Sequence, residues 1–243
     1  MVHIRFIGDV VKFIFDVDGT LTPSRQEIDT DFGVFFTDFC SSKDVYLVTG
    51  SDKEKTIEQL GQEIFSLSKR VYNCSGSDVW EGETHIRSNE WTIPDLPRQF
   101  LTQCLNESLF VLRTGKHIEE RPGMINFSVV GRNATLGERK LYAEFDKEQN
   151  ERNTIAESFN IMFPDLQAKV GGETGIDIFP VGADKSQILI DFDPNDTLVF
   201  FGDRMDPDGN DYPLKKELID KDLGICYNVK DWKETWKILK QYD

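Results

Sequence analysis

Lys12-Phe-Ile-Phe-Asp-Val-Asp-Gly-Thr-Leu-Thr22 is the stretch on which the fold turns. It continues a run of β-branched and aromatic residues, Val10 to Phe15, and ends in two carboxylates one residue apart and then a glycine. A short apolar run stopped by glycine reads as a buried strand of the kind that parallel sheets carry. Strand side chains alternate with period two, so Asp16 and Asp18 point the same way if the strand continues and diverge if Gly19 begins a turn. Either way, two acids sit at the carboxyl end of a buried strand, where open α/β sheets place their ligands. Carboxylates that close repel each other. A hard cation such as Mg2+ relieves the repulsion, because it takes oxygen ligands, commonly one or two carboxylates together with phosphate.

The remaining chain fits that beginning. Its 243 residues suffice for one domain or two small ones with a real core. With 28 basic and 43 acidic residues the net charge is −15, which argues against non-specific binding to nucleic acid or an anionic membrane. A phosphate-ester substrate would therefore need local arginines and a metal ion to overcome a repulsive field. Cys40, Cys74, Cys104 and Cys226 lie far apart and form neither a zinc motif nor a disulfide framework, which suits a reducing compartment. There is no signal-peptide pattern and no membrane-length apolar run, so the expectation is a soluble, cytoplasmic protein.

Along the chain, a helix is expected from Asp29 or Thr30 to about Cys40, with Phe32, Phe35, Phe36 and Phe39 on one face. Val45–Val48 reads as a second buried strand, followed by Thr49-Gly-Ser-Asp52 and a helix from Lys53 to Leu60 that Gly61 stops. A hydroxyl and backbone N–H groups at such a strand-to-helix junction make an anion site, with Ser51 the first candidate and Thr49 the second. Asn73–Asp78 reads as loop, and Val79–Ile86 as a hairpin. From Pro94 to Leu112 a helix pair or one longer helix is expected, then a strand over Met124–Val130. Two helices broken near Asn150 and two strands around Gly171-Gly172 follow. Antiparallel strands mixed with helices indicate an α+β insert rather than further βαβ units. A helix from Ala183 through Ile190, a strand over Thr197–Phe201, a strand over Leu223–Tyr227 and a helix over Lys230–Gln241 return to the α/β pattern. The expected fold class is thus α/β, a Rossmann-like parallel-sheet core with an inserted α+β cap. The core would take residues 1–84 and 184–243, the cap residues 85–183, with an active site in the cleft.

Asp203 ends a buried strand as Asp16 does and adds a third acid at the same sheet edge. Asp16, Asp203 and the backbone carbonyl of Asp18 are then candidate Mg2+ ligands, with Asp211 the best candidate in support behind them. Lys185 is expected at a helix start, where the macrodipole disfavours a cation, so a partner such as Asp16 must compensate.

Directly after its apolar run, Asp16-Val-Asp-Gly-Thr-Leu21 resembles the nucleophile motif of the haloacid dehalogenase superfamily, most of whose members transfer phosphoryl groups. The resemblance implies that Asp16 is a nucleophile that becomes an aspartyl phosphate, Asp18 an acid/base, Ser51 or Thr49 a phosphoryl contact, and Lys185 the lysine of a third motif. A narrower resemblance covers nearly the whole chain. Asp-Val-Asp-Gly-Thr-Leu-Thr-x-x-Arg-Gln, Gly-Ser-Asp-x-Glu-Lys with Glu-Gln-Leu-Gly, Arg-x-Gly-Met-x-Asn, Phe-Asp-Lys-Glu-x-Asn, Asp-x-Phe-Pro and Phe-Phe-Gly-Asp are together similar to eukaryotic-type phosphomannomutases. That family's cap arginines, which grip the sugar's distal phosphate, fall on Arg121, Arg132 and Arg139. Its core arginine near the substrate falls on Arg25, and its sugar-contacting positions on Asn126 and Asp177.

The resemblance also implies hexose-phosphate substrates, Mg2+, a hexose 1,6-bisphosphate activator and a homodimer formed through the cap. There are departures. Gly175 replaces a substrate-contacting serine, Asn73–Asp78 lacks an acidic-Asn-Gly stretch, Asp208 replaces a glycine, and Lys215 stands with Glu217 and Asp220 where a second cation is held. The expected reaction is interconversion of mannose 6-phosphate and mannose 1-phosphate. A Mg-dependent sugar-phosphate phosphatase is the nearer alternative and a non-catalytic sugar-phosphate-binding protein the farther one.

Overall fold

The structure is a computed structural model and describes residues 11–242. Val10, at which the apolar run begins, lies outside the described residues. Contacts divide the chain into two compact units. One runs up to Ser88 and resumes at Ala183, and the other is Asn89–Gly182. The first closes at Ser88 rather than at the expected residue 84 because the second arm of the hairpin belongs to its sheet.

That sheet has seven strands. In chain order they are β1 (Val11–Phe15), β2 (Asp44–Val48), β3 (Arg70–Asn73), β4 (Asp78–Glu81), β5 (Thr84–Ser88), β10 (Thr197–Gly202) and β11 (Gly224–Asn228). Their spatial order is β11-β10-β1-β2-β3-β4-β5, parallel from β11 to β3 and antiparallel through the β4–β5 hairpin. Period two sorts β1 onto two cores. Phe13 and Phe15 pack among Phe32, Phe36 and Phe39 of helix α1 (Thr30–Ser42), while Ile14 packs with Phe200, Leu214 and Leu218 on the other side. Both faces are covered, which is why the strand is apolar throughout. Phe15 stacks on Phe201 at 4.9 Å and Phe201 on Tyr227 at 4.8 Å, so one aromatic row crosses three strands.

Helix α2 (Lys53–Leu67) corrects the expected stop. The chain leaves helical geometry at Gly61 (φ 81°, ψ 155°) but resumes, burying Ile64 and Phe65. Asp52 caps its start by accepting from the Lys55 N–H at 2.9 Å. Asn73, expected to open a loop, instead ends strand β3. Helix α6 (Tyr212–Asp220) follows the acidic loop, and helix α7 (Trp232–Leu239) closes the chain. Residues Lys185–Asp191 form a 3-10 segment rather than an α-helix, a short connector of the usual kind.

The second unit holds a four-stranded antiparallel sheet, β6 (Ile118–Arg121), β7 (Met124–Phe127), β8 (Leu166–Gly171) and β9 (Gly175–Pro180), in the order β6-β7-β9-β8. One face carries Ile125, Phe127, Ala168, Ile176 and Ile178. These pack with residues of α3 (Asp95–Glu107), α4 (Leu136–Gln149) and α5 (Glu151–Met162). Asn150, left-handed at φ 54°, makes the break between the last two helices. Alternation sends the intervening residues to the opposite face. There the register sets Glu119 beside Asn126, Asn126 beside Asp177, and Asp177 beside Lys169, so a polar row crosses the sheet. The expected α+β character of the insert is what this unit shows.

Candidate active site

The parallel register brings the acids together. Phe15 pairs with Phe201, and the Asp16 N–H donates to the Phe201 carbonyl at 2.9 Å, so Asp16 and Asp203 leave adjacent strands at the same edge. Asp16 is 3% exposed. Its Oδ1 accepts from Lys185 Nζ at 2.5 Å and its Oδ2 from Thr20 Oγ1 at 3.1 Å. Lys185, fully enclosed, also donates to Asp211 Oδ1 at 2.7 Å, and Asp211 Oδ2 accepts from the Arg204 N–H at 3.0 Å. Burial alone would lower the Lys185 ammonium, but Asp16 and Asp211 outweigh it and hold the group above the usual lysine value. The expected compensation for a cation at that position is therefore present.

One carboxylate oxygen from each of Asp16, Asp203 and Asp211 lies within 4.8 Å of the others. Burial, and then the charge of Asp211, push the Asp203 carboxyl up to about 6. Burial also raises Asp16, with Lys185 opposing and Asp211 and Asp203 reinforcing the rise. When ionised, the three acids carry two more charges than the Lys185 ammonium balances. A donor set of hard oxygens with that excess fits a divalent cation such as Mg2+. Asp211 is wholly buried between Lys185 and the Arg204 N–H, so its chemistry suits support of Lys185 more than a direct metal bond. Gly19 shapes the same edge. It lies at φ +85°, and a Cβ there would fall 2.3 Å from Asp203 Oδ2.

Asp18 diverges from Asp16, because Gly19 turns the chain. Its Oδ1 accepts from the Arg25 N–H at 2.6 Å and from Gln59 Nε2 at 3.0 Å. Arg25 reaches Asp18 through its backbone, in a left-handed conformation (φ 58°), and its side chain is exposed. With Lys55, Glu58 and Gln59 it lines a cavity of about 390 Å3. Beyond β2, Thr49 is buried and its Oγ1 accepts from the Ser51 N–H at 3.1 Å, so Thr49 braces the turn and Ser51 is the more open hydroxyl.

The insert's candidate residues fall into groups. Glu119 Oε2 accepts from Arg121 Nη2 at 2.5 Å and Nε at 3.0 Å, and lies 3.1 Å from Arg132 Nε, so one carboxylate gathers two guanidinium groups. Arg139 lies 3.7 Å from Glu173 instead. Asn126 Nδ2 donates to Asp177 Oδ1 at 2.7 Å, and a Cβ on Gly175 would stand 2.5 Å from that same Nδ2. Sequence reasoning does not single out Thr20, Gln59 or Glu119. Thr20 and Gln59 do lie inside the quoted motifs, whereas nothing distinguishes Glu119 from a surface acid. Among the described residues, no helix is long and apolar enough to cross a membrane.

Comparison with known proteins agrees with this architecture. Solved structures resemble the fold at low identity. A haloacid dehalogenase-like hydrolase from Bacteroides thetaiotaomicron superposes with a TM-score of 0.58 at 13% identity, over 97% of this chain and 100% of that one. An IMP-bound IMP-nucleotidase mutant of Plasmodium falciparum gives 0.60 at 18% identity, over 96% of this chain and 68% of that one. The α/β core with an inserted α+β unit is thus of haloacid dehalogenase type. In sequence, phosphomannomutase 1 of Homo sapiens is 34% identical over 217 residues, 84% of this chain and 82% of its own. The phosphomannomutase of Saccharomyces cerevisiae is 31% identical over 238 residues, 94% and 92% of the two chains. The family model described as eukaryotic phosphomannomutase matches residues 34–242, and the chain belongs to that family.

Proposed function

We propose that the chain interconverts mannose 6-phosphate and mannose 1-phosphate by way of an aspartyl phosphate on Asp16 and a hexose 1,6-bisphosphate. The single observation that carries this reading is the convergence of Asp16, Lys185, Asp203 and Asp211 at one sheet edge, in a chain of this family. An Asp16 oxygen bonds to phosphorus, the phosphorus–sugar oxygen bond breaks, and the proton on Asp18 passes to the leaving oxygen. The monophosphate rebinds turned round. Asp18 removes the proton of the receiving hydroxyl, that oxygen bonds to phosphorus, and the bond to Asp16 breaks.

Lys185 neutralises charge on the transferring group while it holds Asp16 in line. Ser51, with Thr49 behind it, contacts that phosphoryl group. A Mg2+ ion held by Asp16, Asp203 and the Asp18 carbonyl, with Asp211 in support, would supply Lewis-acid charge stabilisation. Arg121, Arg132 and Arg139 take the substrate's other phosphate, Asn126 and Asp177 take sugar hydroxyls, and Arg25 contributes from the core. Hexose bisphosphate serves as activator because it charges Asp16, and the working form is a homodimer through the inserted unit.

Radiolabelled glucose 1,6-bisphosphate tests the reading. Label should enter the wild type at Asp16 and should not enter Asp16→Asn. Label elsewhere, or none, would remove it.

A further inference from the structure

We propose that Gln59 is a positioning residue for the Asp18 carboxyl group, an inference that rests on the acid/base reading of Asp18. Gln59 projects from α2, is 1% exposed, and its Nε2 donates to Asp18 Oδ1 at 3.0 Å and to Thr22 Oγ1 at 3.2 Å. The orientation of the amide follows from chemistry. Asp18 Oδ1 already accepts from the Arg25 N–H and stays an acceptor whether or not Oδ2 carries a proton, so the nitrogen faces Asp18. Thr22 Oγ1 itself donates to the Val17 carbonyl at 3.5 Å and so is free to accept from that nitrogen. The opposite end of the amide, Oε1, is buried and has no hydrogen-bond partner among the described residues. Burying an amide with one end unsatisfied is unfavourable, so what favours this side chain here lies at its donor end.

The second donor to Asp18 is the Arg25 N–H, from a loop in a strained left-handed conformation. Gln59 approaches from a helix, and its own backbone carbonyl accepts from Ile28 N–H at 2.8 Å, which ties that loop to α2. Both donors fall on Oδ1. Asp18 Oδ2 takes neither of them and is the oxygen left to carry a proton to and from the sugar. Gln59 thereby fixes the torsion of the acid without touching the substrate, from a rigid element.

The test is single-turnover transfer from glucose 1,6-bisphosphate to Asp16, with wild type, Gln59→Met, Asp18→Asn and the double variant. Gln59→Met keeps the shape and removes the donor. Its transfer rate should fall by roughly tenfold to a hundredfold, with KM for the bisphosphate held, as expected when a reacting group is slightly misplaced. In the Asp18→Asn background the same change should do nothing further. Gln59→Asn, which draws the amide back by one methylene, should show the same selective loss, so that failure of the methionine variant to fold still leaves a test. An equal loss in both backgrounds, or no loss in either, would overturn the inference. A wild type that takes no phosphoryl group at all instead removes the functional reading beneath it.

Discussion

Replacing Lys185 by methionine removes the ammonium that lies among three clustered carboxylates while keeping a side chain of similar length and bulk. The two ion pairs it ends are 2.5 and 2.7 Å long, and both partners of Lys185 are buried. At an effective dielectric of 20, each contact is worth roughly 6 kcal/mol before desolvation. Dehydrating a buried ammonium offsets several kcal/mol of that, and breaking one side of a buried ion pair leaves a net loss of about 3–5 kcal/mol. For a unit of this size, such a loss lowers the unfolding midpoint by roughly 6–20 °C. Thermal unfolding followed by circular dichroism in EDTA measures it directly. Excess Mg2+ should recover much of the difference, because the cation replaces the missing charge among Asp16, Asp203 and Asp211. A variant that unfolds within about 2 °C of the wild type in EDTA, well short of the shift such a loss implies, would refute the view that the Lys185 ammonium holds these acids together.

Gly19→Ala should cost roughly tenfold to a hundredfold in Mg2+ affinity, read by the Mg2+ dependence of activity, because the new methyl falls on Asp203 at a positive φ. Gly175→Ser should destabilise by about 1–3 kcal/mol in urea unfolding and raise KM for the sugar phosphate, since it crowds Asn126 off Asp177. Burial would raise the Asp191 carboxyl, but Arg87 and Arg70 outweigh it and hold it below the ordinary aspartate value of 3.8. Stability from this group is therefore full above that unfolded value and lost as pH falls through the lower folded value, so wild type should lose more stability below pH ~4 than Asp191→Asn does. In Asp191→Asn, amide exchange should quicken in the hairpin Asp78–Ser88, which Arg87 ties to Asp191 at 2.7 and 2.9 Å.

The strands that carry the site are legible in sequence because their setting is extreme. β1, β2 and β10 are covered on both faces, and their apolar runs end in the acids or hydroxyls of interest. β3 escapes notice because only four residues form it and both ends are polar. Asn73 is wholly buried with its Oδ1 2.8 Å from Thr56 Oγ1, a contact that no local pattern reveals. The break at Gly61 is legible, but the resumption of helix is not, since the burial of Ile64 and Phe65 against the sheet drives it. Two acids one residue apart leave their relative direction open. The turn at Gly19 decides it, and the approach of Asp203 to that glycine gives the reason. Gln59 lies inside a quoted motif, but its role does not show in one dimension, and Glu119 carries no signal at all, because an amide on an amphipathic helix and an acid on a short strand read as ordinary surface residues until their partners are known.

In the proposed mechanism a phosphoryl group on Asp16 passes to sugar rather than to water. The most direct test incubates the protein with Mg2+, α-mannose 1-phosphate and a trace of glucose 1,6-bisphosphate, and follows mannose 6-phosphate and free phosphate together. Mannose 6-phosphate forming with little free phosphate is the expected result. Free phosphate rising with substrate loss, and no 6-phosphate, would contradict the claim and make the protein a phosphatase.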